Sequence, residues 1–175
     1  MLTTPRLTLR PVTPADRLDL IALEADPLVM HYLNGGRPTP EEGLTGDDYL
    51  TPRGSEPEVM AAHERATGQF IGWFAFFDDG MVDGTRTAEL GYRLAREFWG
   101  KGYATEGVTV LIAQAFDHWG FGAVRANTMT VNAGSRRVME KSGMTYLKTI
   151  HPVFSDPIPG AELGEVVYEI RKPLA

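Results

Sequence analysis

Three features of this 175-residue chain predict an α+β domain built on one sheet. Its middle and end are dominated by short alternating apolar runs of strand character. Segments with three- and four-residue apolar spacing, the mark of amphipathic helices, fall between them. The strand and helix patterns do not alternate regularly enough for a doubly wound parallel sheet.

The elements follow in chain order. Leu7-Thr8-Leu9-Arg10 reads as a first strand closed by Pro11. Thr13 then supplies an N-cap and Pro14 a first-turn proline, and Leu18, Ile21, Ala22 and Ala25 form the expected apolar face of a helix that ends before Pro27. Residues 34–57 are rich in Gly, Pro, Thr and acidic residues; a helix over 41–50 and a substrate-side loop both fit them. Residues 59–64 and 69–77 read as strands joined by a turn at Ala66-Thr67-Gly68. The second, QFIGWFAFF, is apolar on both faces, as a central covered strand should be. After a turn over 78–84, residues 88–94 alternate cleanly as another strand. Ala104, Val108, Leu111, Ile112, Ala115, Phe116 and Trp119 trace one face of a long helix stopped by Gly120. A strand over 123–131, a short helix over 132–142 with Gly143 as its C-terminal cap, and strands over 144–150 and 165–170 complete the order. No repeat or domain linker interrupts it, so residues 1–175 are expected to form a single domain.

Composition narrows the function. The chain is 43% hydrophobic and 23% charged, with a net charge of -6 that argues against nucleic acid as a partner. It has no cysteine, which excludes disulfides, thiolate metal sites and a catalytic thiol together. His31, His63, His118 and His151 share no metal-ligand spacing, so no metal is expected. The start, MLTTPRLTLRP, lacks the pattern of a signal peptide, and no apolar run approaches the ~20 residues that span a bilayer. The expectation is a cytoplasmic protein without a membrane partner, monomeric or homodimeric.

The most informative stretch is Phe98-Trp99-Gly100-Lys101-Gly102-Tyr103-Ala104-Thr105-Glu106, between a strand and the long helix. It is not a P-loop, because Lys101 is followed by glycine, and not a dinucleotide loop, because Thr105 stands where the third glycine belongs. Glycines at 100 and 102 allow a sharp turn and close approach of a ligand to backbone. The first N–H groups of the following helix lack intrahelical partners, so the loop suits an anion such as a pyrophosphate. An empty strand-to-helix turn satisfies the glycines equally well.

The run ELGYRLAREFWGKGYATEG, followed by NAGSRRVMEKSGM from Asn132 to Met144, resembles the GNAT N-acetyltransferase superfamily. TPRLTLRPVTPAD and DPLVMHYL extend the similarity over nearly the whole chain and are most similar to the RimJ/RimL-type branch. The resemblance implies a mostly antiparallel sheet of six to seven strands, flanked by helices and splayed at an acetyl-CoA cleft. It implies that Trp99, Gly100, Lys101, Gly102, Tyr103, Ala104 and Thr105 hold the pyrophosphate of acetyl-CoA, with Trp99 in place of the family's Gln or Arg. The strand ending at Tyr92, Arg93 and Leu94 would pair with the pantetheine arm. Asn132 and Ser135 would lie on the cofactor side, with Ser135 a candidate to protonate the departing thiolate, since Met139 occupies the position where many members carry an acidic tyrosine.

The reaction class sets the remaining expectations. An acceptor ammonium has no lone pair and must lose a proton, and an α-amine at pKa ~8 does so far more readily than a lysine at ~10.4. Glu89, on the strand that would flank the thioester, is the candidate general base, directly or through water; a solvated strand carboxylate is the competing account. Without cysteine, direct attack in a ternary complex is expected. His31 and Tyr32 are candidates for the acceptor pocket. The acceptor expected from the branch is a protein or peptide N-terminus; a small-molecule amine and a non-catalytic acyl-CoA-binding module are the alternatives.

Overall fold

The structure is a computed structural model that describes residues 1–38 and 59–173. The expected helix or loop over 41–50 therefore lies outside the described residues. Eight strands occur among the described residues: β1 (Leu2–Thr3), β2 (Leu7–Pro11), β3 (Val59–Glu64), β4 (Phe70–Val82), β5 (Thr85–Leu94), β6 (Ala123–Met129), β7 (Thr145–Ile150) and β8 (Glu165–Arg171). The helices are α1 (Arg17–Ala25), α2 (His31–Asn34), α3 (Tyr103–Asp117) and α4 (Ala133–Lys141). Strand order is β1-β2-β3-β4-β5-β6-β8-β7. The pairs β1–β2, β2–β3, β3–β4, β6–β8 and β7–β8 are antiparallel, and β5–β6 is parallel. The eighth strand, beyond the six or seven expected, is the two-residue β1.

The chain forms two compact units, one of residues 1–76 and 92–107, the other of residues 77–91 and 108–175. In the first, Leu7 and Leu9 of β2 are fully buried and alternate with more exposed Thr8 and Arg10. Every residue of β4 from Ile71 to Phe76 is buried, as its double-faced apolar sequence requires. Gly72 has φ 149°, and a Cβ there would lie 2.1 Å from the Arg93 carbonyl oxygen, so only glycine lets β4 approach the end of β5 this closely.

The buried face of α1 differs from the one its hydropathy predicts. Leu18 is 78% exposed and Ala22 and Ala25 are exposed, whereas Leu20, Leu23 and Glu24 are buried, as is Asp16 in the preceding 3-10 turn. Both acids have partners. Arg10 donates to the two Asp16 carboxylate oxygens at 2.6 and 2.8 Å, and Asp16 also accepts from the Thr13 amide at 2.8 Å. Burial alone would raise the Asp16 pKa, but these hydrogen bonds outweigh it and hold the carboxyl below its ordinary value. Glu24 pairs with Arg93 of β5, whose guanidinium also lies over the Trp73 ring at 5.0 Å.

In the second unit, β6 and β8 pair along their full length, from Ala123–Arg171 to Met129–Glu165. Val124, Ala126 and Tyr168 are buried there, as is Met139 of α4. In the same unit α3 buries Val108, Leu111, Ile112, Ala115 and Phe116, five of the seven residues of the predicted stripe, whereas Ala104 and Trp119 are half-buried, and Gly120 at φ 75° follows its end.

Candidate active site

The expected site residues fall into two groups, one in each unit. The first contains the glycine loop. A short 3-10 turn, Arg96–Phe98, leads from β5 into Trp99, and α3 begins at Tyr103. Gly100 and Gly102 have φ 71° and 84°, so both glycines are required by the left-handed backbone. The consequence is a row of donors: the N–H groups of residues 100–105 find no acceptor among the described residues, and the first backbone bond into the helix is from Glu106 N–H to the Gly102 carbonyl at 3.0 Å. Six consecutive unsatisfied donors at the start of a 15-residue helix suit a doubly charged, oxygen-rich anion.

The loop is fastened by side chains. The Arg6 Nε donates to Glu106 Oε2 at 2.7 Å, and the Arg6 amide to Glu106 Oε1 at 2.8 Å. Arg6 Nη1 donates to the Lys101 carbonyl at 2.9 Å, and its guanidinium lies 4.3 Å from the Tyr103 ring centre. Thr4 Oγ1 donates to Glu106 and the Tyr103 hydroxyl to Glu64. The bond from Tyr103, then that from Thr67, holds the Glu64 carboxyl below its ordinary pKa. Glu64 is thus tied to the loop. Trp99 turns its indole N–H onto the Leu94 carbonyl at 2.7 Å. That carbonyl is therefore satisfied, and the Arg93 side chain pairs with Glu24. His31 and Tyr32 lie at the start of α2, edge-on at 4.7 Å, with His31 exposed.

The second group lies on β5, β6, β8 and α4. Glu89 is opposite Arg125, the last pair of the β5–β6 ladder. Glu89 is exposed at the surface, yet crowding of its carboxyl by the surrounding chain, then the charges of Asp79 and Glu165, shift its pKa above the ordinary glutamate value. Glu165 itself accepts from Asn127 Nδ2 at 2.7 Å. Asn132 caps α4: its Oδ1 accepts from the Ser135 amide at 3.1 Å and its Nδ2 donates to Thr128 Oγ1 at 3.0 Å. Both ends of that amide are therefore engaged, which assigns Asn132 to the placement of Ser135. Met139 is 1% exposed and lies in the core, so no ionisable group replaces the tyrosine common at that position. Arg136 is held by the Thr130 carbonyl at 3.2 Å and the Tyr168 hydroxyl at 3.3 Å, and so does not form a solvated pair with Arg137.

Arg6 and Glu106 are the functional residues that sequence reasoning passed over, although both stand inside the quoted runs. Their partnership spans 100 positions, and neither spacing nor hydropathy carries that signal. No group of three or more His, Cys, Asp or Glu among the described residues could hold a metal ion. No described helix is long and apolar enough to cross a membrane.

The first group is a strand, a glycine turn whose N–H groups meet no acceptor among the described residues and the start of a long helix; the second is a parallel strand pair and a capped helix; these are the elements of an acetyltransferase fold. The model of the acetyltransferase (GNAT) domain matches residues 6–145, and the chain belongs to that family. It is accordingly an N-acetyltransferase, whose family acetyl donor is acetyl-CoA. Among curated proteins it is 34% identical to the FsC-acetyl coenzyme A-N(2)-transacetylase of Aspergillus fumigatus, over 97% of this chain and 75% of that one. The fold matches the crystal structure of a GNAT-family acetyltransferase from Bacillus anthracis with a TM-score of 0.79 at 22% identity, covering 97% and 96% of the two chains. It also matches the spermidine N-acetyltransferase of Vibrio cholerae, solved with CoA and spermine, with a TM-score of 0.74 at 16% identity and 96% of each chain covered.

Proposed function

We propose that the chain transfers the acetyl group of acetyl-CoA to a primary amine of a small molecule, by direct attack in a ternary complex. The observation that carries this reading is the row of six N–H groups at residues 100–105 that meet no acceptor among the described residues, which fits a pyrophosphate in number, polarity and position. Acetyl-CoA, when bound, supplies the activated thioester carbonyl. The backbone of Gly100 to Thr105 holds its pyrophosphate, and the backbone of Tyr92 and Arg93 pairs with the pantetheine arm. The family match runs through both compact units, which supports reading residues 1–175 as one catalytic domain.

Glu89 takes a proton from the acceptor ammonium, directly or through water. Its raised pKa brings its proton affinity nearer to that of an amine, which suits this role. As the C–N bond forms and the C–S bond breaks, the thiolate leaves and is protonated. Ser135, placed by the Asn132 cap in the first turn of α4, is the candidate for that step by its place in the motif. The lack of cysteine rules out a cysteinyl acyl-enzyme. The small-molecule acceptor is favoured by the N(2)-amine named for the Aspergillus relative. The similarity of TPRLTLRPVTPAD to the RimJ/RimL-type branch favours a protein or peptide α-amine instead.

The test is a calorimetric titration with acetyl-CoA of the wild type and of Gly102→Glu, which puts a strained backbone and a negative charge where the pyrophosphate would lie. Binding to the wild type that is lost in the variant supports the site. Turnover of small amines but not of peptide N-termini then supports the acceptor class, and the opposite preference overturns it. A wild type that binds acetyl-CoA yet acetylates no amine would make the chain an acyl-CoA-binding module.

A further inference from the structure

We propose that Arg6 is a positioning residue for acetyl-CoA: it acts through the glycine loop, aiming the loop's N–H groups, without itself touching the phosphates. This inference rests on the pyrophosphate reading above. A loop with two glycines at positive φ is free of strain but has the most backbone freedom to lose, so its shape must be imposed from outside. Arg6 does so at three successive points. Its Nη1 takes the Lys101 carbonyl at 2.9 Å, its ring contact covers Tyr103 at 4.3 Å, and its Nε and amide take both Glu106 oxygens.

The consequence for the ligand follows from the planar trans peptide. A carbonyl and the next N–H point in opposite directions. Turning the Lys101 carbonyl toward Arg6 therefore turns the Gly102 N–H away from it, to the side where no protein acceptor stands. Holding Glu106 fixes the roll of the first turn of α3, and with it the N–H directions of Tyr103, Ala104 and Thr105. Two of the guanidinium's five N–H donors are taken by the Lys101 carbonyl and the Glu106 carboxylate, and its charge is paired with Glu106, which favours a positioning role over direct phosphate binding. Arg6 is 44% exposed and Glu106 16%, so solvent screens the arginine's share of the pair and its contribution to stability is small. Its role is therefore geometric.

The experiment compares wild type, Arg6→Met, Arg6→Lys and Glu106→Gln, each titrated with acetyl-CoA by calorimetry. S-acetylpantetheine, which has the thioester arm but no pyrophosphate, is titrated in parallel and followed by amide NMR shifts. Arg6→Met should bind acetyl-CoA about tenfold more weakly or worse, bind acetylpantetheine as the wild type does, and lose the shift of the Gly102 amide on acetyl-CoA binding. Arg6→Lys should behave like Arg6→Met, because one ammonium cannot span Lys101 and Glu106 as the planar fork does. Glu106→Gln should weaken acetyl-CoA binding in the same selective way, and decides the matter if Arg6→Met does not fold. Unchanged acetyl-CoA binding in Arg6→Met, equal weakening of both ligands, or full rescue by lysine would each overturn the proposal while leaving the pyrophosphate site in place. A wild type that binds no acetyl-CoA would overturn the site, and the positioning role with it.

Discussion

Gly107 lies in the second turn of α3, where helix propensity alone favours alanine by about 1 kcal/mol. The structure reverses that sign. A Cβ built on Gly107 would fall 2.2, 2.6 and 2.8 Å from three atoms of the Phe74 ring, well inside ordinary carbon contact. Phe74 is fully buried in β4, and its ring already stands 6.1 Å from that of Tyr92, so it has little room to withdraw. Overpacking of this kind costs about 3 kcal/mol at the upper end of its usual range. Subtracting the propensity gain leaves Gly107→Ala destabilised by about 2 kcal/mol, a fall in Tm of roughly 4–8 °C for a domain of this size. Thermal unfolding followed by circular dichroism measures it directly. Phe74→Leu in the same chain should relieve the overlap, so the double mutant should be at least about 1 kcal/mol more stable than the two single changes predict by addition. A rise in Tm for Gly107→Ala would refute the reasoning, because it would show that propensity, and not the close helix–strand approach, governs the position.

Three further outcomes are expected. Glu89→Gln should abolish the acid limb of the pH–rate profile, which in the wild type should lie above the ordinary glutamate value of about 4.3 because the folded pKa is raised; acetyl-CoA affinity should not change, and an unaltered profile would remove Glu89 from the mechanism. Because its raised pKa means that ionisation opposes folding, the same substitution should also raise Tm slightly at neutral pH and have no such effect at pH values where the carboxyl is already protonated. Asp16 has the opposite sign: its depressed pKa contributes stability that is present above the unfolded-state value and lost as pH falls through the folded one, so Asp16→Asn should flatten the acid limb of Tm against pH. Met139→Tyr should fail to supply a general acid. It forces a ring and a hydroxyl into a site that is 1% exposed, and should lower stability by about 1–3 kcal/mol without raising kcat.

The sequence disclosed those parts of the fold whose physics is local. The stripe on α3, the doubly apolar β4, the Asn132 cap and the two glycines with positive φ all follow from neighbours within a few positions. It misled where distant residues decide. Leu18 looked like core and is exposed, while Glu24 looked like surface and is buried, because the partner of Glu24 is Arg93, 69 positions away. Hydropathy has no means of crediting a charge for a partner that only the tertiary fold supplies. The same blindness concealed the tie from Arg6 to Glu106, even though both residues stood in plain view in the motif runs. Trp99 shows the same limit: the bond from its indole N–H to the Leu94 carbonyl is a contact that its place in the motif did not announce.

The place of β8 in the sheet has a consequence for how the second unit is made. β7 precedes β8 in the chain, yet its partner in the sheet is β8, which also pairs with β6. Until residues 165–171 have been synthesised and released, β6 lacks its partner on that side and β7 has no strand to join. Val124 and Ala126 meanwhile await their strand partners Ile170 and Tyr168. Closure of this unit is therefore a late event at the ribosome, governed by one seven-residue strand that inserts between two others. A nascent chain halted before Glu165 would display two open strand edges at once, the kind of surface that chaperones recognise and that self-association exploits.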